Sequence, residues 1–169
     1  MKQWERYIWP SVWGAWSILI VLQIILSFFL YNRAGLPILR HAGWVTLAIS
    51  AVFGWLPIFA FRKKGGVPKG RSYIQITVLV DSGVYAVVRH PQFLAGILLS
   101  LALILITQHW LIAMIGVVVM VLNYLIALKA DQELTEKFGE DYERYVQKVP
   151  RMNFLVGGIR LLQRRKAEL

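Results

Sequence analysis

Apolar residues in this chain fall in four long blocks, with neither the short alternation of strands nor the one-sided stripe of a soluble helix. Each block is long enough to cross a bilayer, which predicts spans at about 8–30, 43–61, 91–108 and 110–128. In the first span Trp9, Trp13 and Trp16 recur at helical spacing near one end and Tyr31 closes the other, an aromatic belt. The block is too long for a signal-peptide core and has no small-residue cleavage site, so it reads as a true span. Pro57 lies late enough in the second to kink it without breaking it. The third, at roughly 27 Å of helix, barely spans. Only Gln108 and His109 separate it from the fourth, which predicts a tight hairpin.

Two polar blocks frame these spans. The stretch "KADQELTEKFGEDYERYVQKVPR" continues the fourth span as a polar helix, with Gly139 ending or bending it before a second short helix. The final "NFLVGGIRLLQRRK" is short, basic and partly apolar, as in a helix lying on the bilayer surface. The predicted fold class is an all-α polytopic membrane helical bundle, four transmembrane helices followed by a cytoplasmic helical tail. Residues 1–169 read as a single membrane domain.

Composition agrees: 57% of residues are hydrophobic and the mean hydropathy is +0.55. A net charge of +10 would point to nucleic acid in a soluble protein. Here it marks a membrane face. Of the 19 Lys and Arg, only Arg33 and Arg40 fall between the first and second spans, and none falls between the third and fourth. The rest lie at the amino end, in the loop after the second span, or in the tail, which predicts that both termini and that loop are cytoplasmic. There is no cysteine, and His41, His90 and His109 are scattered, so neither thiolate chemistry nor a metal site is expected.

Chemistry concentrates in "GVYAVVRHPQFLAG", where a charged triplet precedes the third span. Pro91 suits the first position of a helix, which places His90 at its cap and Arg89 just outside. The first turn of such a helix attracts an anion. Tyr85 and Phe93 add aromatic faces able to stack on a ring or attract a cation. Either basic residue alone would read as an anchor reaching the headgroups. The combination of Gly-X-Tyr, Arg-His-Pro, an aromatic and Gly favours a built site.

These residues, with "TVLVDSGVYAVVRHPQFLAG" and "LTEKFGEDYERYVQKVPR" flanking a helical hairpin, resemble the isoprenylcysteine carboxyl methyltransferase and phospholipid methyltransferase superfamily. The likeness covers residues 77–151. It implies an integral-membrane enzyme that uses S-adenosylmethionine. It assigns cofactor binding to Thr77, Val78, Leu79, Val80, Tyr85, His90, Pro91, Gln92 and Phe93, the last standing where the family usually has tyrosine. The family's glutamate pair, eight and seven residues before Phe138, is here Ala130 and Asp131, so Asp131 is the substitute candidate. Where the prenylcysteine enzymes carry an arginine for the substrate carboxylate, this chain has Ile126.

The implied activity is methyl transfer from S-adenosylmethionine to a lipophilic acceptor arriving from the bilayer, an isoprenylcysteine carboxylate or a phospholipid-like group. His90 and Arg89 are the catalytic candidates, and Arg89 and Arg151 candidates for an acceptor phosphate or carboxylate. No metal and no nucleic acid is expected. Two alternatives remain: an NADPH-dependent sterol reductase-like protein, which usually has Asn and Asp where Gln92 and Ile97 stand, and a non-catalytic member of the methyltransferase fold.

Overall fold

The computed structural model describes residues 5–66 and 77–167, and every regular element among them is helical. In order these are α1 (Glu5–Phe29), α2 (Pro37–Lys64), a 3₁₀ turn (Gly83–Ala86), α3 (Pro91–Thr107), α4 (Trp110–Phe138), α5 (Glu140–Lys148) and α6 (Phe154–Ala167). Helices α1, α2 and α4 are long and apolar enough to cross a membrane, and α3 is a shorter apolar helix. The all-α polytopic membrane fold expected from the apolar blocks is the fold that forms. Lys2, Lys69 and Arg71 of the charge count lie outside the described residues.

Helices α2 and α4 run beyond their hydropathy blocks. Helix α2 starts at Pro37, six residues ahead of its apolar block, because proline is well placed at a helix's first position. Arg40 therefore lies on the helix, its guanidinium 4.7 Å from the centre of the Tyr31 ring. Helix α4 runs ten residues past Leu128, and this extension (Lys129, Asp131, Glu133, Glu136 and Lys137 among it) is too charged for hydrocarbon. Gly139 ends it at φ 54°, a left-handed backbone that glycine adopts without penalty, and α5 follows at once.

The chain packs as two units. The first comprises Met1–Ala51 and Ala95–Leu128. Between spans, lipid competes for apolar contact, so close backbone approach and buried hydrogen bonds must do the joining. Gln23 of α1, wholly buried, donates through Nε2 to the Ser100 carbonyl of α3 at 3.2 Å. Ser50 of α2 donates to the Ala95 carbonyl at 2.8 Å. Gly96 lets α4 close on α3: a Cβ there would stand 2.8 Å from the Asn123 amide. Asn123 donates to Val119 of its own helix at 3.2 Å, so it acts across the interface by packing. The α3–α4 hairpin turns on Gln108 at φ 48°, and the Gln108 side chain bonds both the N–H and the C=O of Leu36 at 2.8 Å.

The second unit comprises Val52–Leu94 and Lys129–Leu169. Its core is Tyr142, Tyr145 and Val149 of the α5 region, packed by Leu79, Leu134, Phe138 and Val146. Helix α6 docks through Gly157, where a Cβ would meet the Val87 carbonyl at 1.8 Å, and through Arg164, which donates to the Ala86 carbonyl at 2.9 Å.

Candidate active site

Every residue of the candidate site belongs to the second unit. Pro91 opens α3, and the His90 carbonyl accepts the first bond of that helix from the Leu94 N–H at 3.0 Å, so His90 caps it. The two residues before Pro91 are held by main chain. The Arg89 N–H donates to the Pro150 carbonyl and the His90 N–H to the Arg151 carbonyl, both at 3.1 Å. Tail and helix entrance are thus laced together before any side chain is counted.

The side chains converge on one carboxylate. Asp131 Oδ1 accepts from Arg89 Nη1 at 3.1 Å, from His90 Nε2 at 2.6 Å and from the Tyr142 hydroxyl. Asp131 Oδ2 accepts from Arg151 Nε at 2.6 Å. Because a carboxylate can only accept here, the His90 proton on this side must sit on Nε2. Burial alone would raise the Asp131 carboxyl, but the hydrogen bonds from His90, Tyr142 and Arg151 outweigh it and hold the group well below the carboxylate range. Burial raises the Tyr142 phenol, and the bond to Asp131 raises it further, so it stays a neutral donor.

This cluster sets one negative charge against two guanidiniums. The Arg89 side chain is 7% exposed, and its buried Nε has no hydrogen-bond partner. A buried donor left unmade costs about 1–3 kcal/mol.

Other predicted residues lie elsewhere in the unit. Phe93 places its ring 5.6 Å from that of His90. Tyr85 is buried, with Phe61 stacked 4.7 Å from one ring face and its carbonyl accepting from the Tyr145 hydroxyl at 2.6 Å. Its ring face there is filled by protein. Gln92 is half-buried, and Val80 and Pro91 are buried. Thr77, Val78 and Leu79 line a cavity of about 520 Å³ against α5, which Asp81, Arg144 and Lys148 make polar. Neither His90 nor Asp131 lines that cavity. Ala130 is half-buried and Ile126 fully buried.

Sequence reasoning missed Tyr142 and Arg151 as partners of Asp131. It gave Arg151 as a candidate for an acceptor anion and gave Tyr142 no chemical role. The available signal was Asp131 itself, a lone acid on a buried helical face, which demands donors from whatever packs over it.

A model of a family described as Phospholipid methyltransferase matches residues 38–141. Neither a curated protein nor a solved structure matches the chain.

Proposed function

The chain belongs to the phospholipid methyltransferase family, and from that premise we propose that it transfers a methyl group from S-adenosylmethionine to a lipophilic acceptor entering from the bilayer. The observation that carries this reading is the Asp131 cluster, which gathers Arg89 and His90 from the entrance of α3 and Arg151 from the tail around one half-buried charge. When bound, S-adenosylmethionine supplies an electrophilic methyl on a sulfonium. The residues present fit its amino-acid end: the unpartnered Nε of Arg89 and the excess of guanidinium charge suit a carboxylate.

Asp131 acts by position. It fixes the Arg89 and Arg151 guanidiniums and sets the His90 tautomer, leaving Nδ1 as the ring nitrogen that Asp131 does not use. A carboxylate acceptor needs no base. An amine acceptor of the phospholipid kind does, and a carboxylate-oriented imidazole is the group near the helix entrance that can take the proton. Ile126, where a carboxylate-binding arginine would stand, favours the phospholipid-like acceptor over the prenylcysteine one. The donor enters from the cytoplasm in this reading, with both termini on that side.

Titration of the purified protein with S-adenosylmethionine and with NADPH separates the readings. Heat of binding for the first and none for the second is expected. Tritiated-methyl transfer into total membrane lipid, followed by chromatography, then identifies the acceptor. NADPH binding, or binding of neither compound, would overturn the proposal.

A further inference from the structure

Helix α6 has two faces with different partners. Phe154, Gly157, Leu161 and Arg164 follow helical spacing and form the docked side, with Phe154 resting on Phe53 at 5.6 Å between ring centres. Leu155, Ile159 and Leu162, spaced four and three apart, are 67%, 57% and 63% exposed. Three large aliphatics aligned on one face need a cover.

The position of Phe53 says what that cover is. It lies eleven residues before Lys64, about 16 Å along α2 and within that helix's apolar block. In the same stretch Trp55, Leu56 and Phe59 are exposed, as lipid-facing residues of a span must be. The start of α6 is therefore level with lipid-facing α2. At 14 residues, roughly 21 Å, α6 is too short to cross. Its charge is carried at the other end and flank by exposed Arg160, Arg165 and Lys166.

We propose that α6 is a half-embedded helix whose Leu155–Ile159–Leu162 stripe lies in acyl chains and whose basic end binds the anionic headgroups of the same leaflet. Aliphatic residues beside Arg and Lys complement such a surface, which draws in each nearby basic residue several-fold. The contact bears on the site because α6 braces the Ala86 and Val87 carbonyls, the residues leading into Arg89 and His90. This inference stands apart from methyl transfer, since it concerns only the lipid around one helix.

The absence of native cysteine makes the test clean. Leu162→Cys, carrying a fluorescent probe in the full-length protein, is reconstituted into phosphatidylcholine vesicles with phosphatidylglycerol added. Doxyl-labelled acyl chains are expected to quench the probe, and labelled phosphatidylglycerol to quench at roughly fivefold lower mole fraction than labelled phosphatidylcholine. In the Arg160→Gln, Arg165→Gln, Lys166→Gln background that preference should vanish while acyl quenching persists. A probe quenched from water by iodide and not by lipid would overturn the proposal. So would a probe shielded from both through pairing of two copies, or an equal response to the two headgroups in the unsubstituted background.

Discussion

At the scale of single residues, the site turns on a charge that its neighbours keep ionised. Asp131 is depressed below the unfolded carboxylate value, so its contribution to stability is full above about pH 4 and is lost as pH falls further. Asp131→Asn should lower Tm at neutral pH, and the gap from wild type should narrow on acidification below that point; thermal melts in detergent across pH read it. His90→Ala removes a donor to Asp131 while keeping the main-chain carbonyl that opens α3. At least a tenfold loss of S-adenosylmethionine affinity is expected with insertion intact, checked by calorimetry beside a membrane-extraction assay. Unchanged affinity would take His90 out of the pocket. Part of this scale was legible from residue types, since the Arg-His-Pro triplet announced a helix entrance, whereas Asp131 was picked out by the family resemblance. The donors from Tyr142 and Arg151 were not, because hydrogen bonds across 11 and 20 residues depend on where α5 folds back, which no local pattern encodes.

At the scale of elements, glycine sets how closely helices approach. Gly96→Ala forces the Asn123 amide aside and should cost about 1–3 kcal/mol. Asn123→Ala in the same chain should recover part of that loss, a coupling visible in a double-mutant cycle of melting temperatures. Gly157→Ala is more severe, since the obstacle is the Val87 carbonyl and backbone cannot rotate away. It should displace α6 and lower S-adenosylmethionine affinity several-fold, with α1–α4 still inserted, measured by the same titration. Hydropathy read the spans well and the helix ends poorly. It reports where hydrocarbon lies, whereas α2 and α4 continue into water for as long as backbone hydrogen bonding and helix-forming side chains allow. The Gln108 turn shows the limit: its brevity was visible, but its clamp on Leu36, 72 positions away, was not.

For the molecule as a whole, the charged cluster falls in the same unit as the second half of α2, and most of the apolar helices fall in the other. The first unit is joined by Gln23, Ser50, Gly96 and their partners, and the second holds the charged cluster. A resemblance confined to residues 77–151 and a family match at 38–141 both take in Arg89, His90 and Asp131, whereas α1 lies outside both, which is why the family was more legible than the packing of α1. The amides of Arg89 and His90 also carry a consequence for synthesis. Their carbonyl partners, Pro150 and Arg151, are added about sixty residues later. A ribosome-bound chain that has already made α3 therefore holds an unfinished helix entrance, its two amides without these carbonyl partners until nearly the last helix is made. The entrance of α3 is thus closed from the far end of the chain, after both helices of the hairpin have been made.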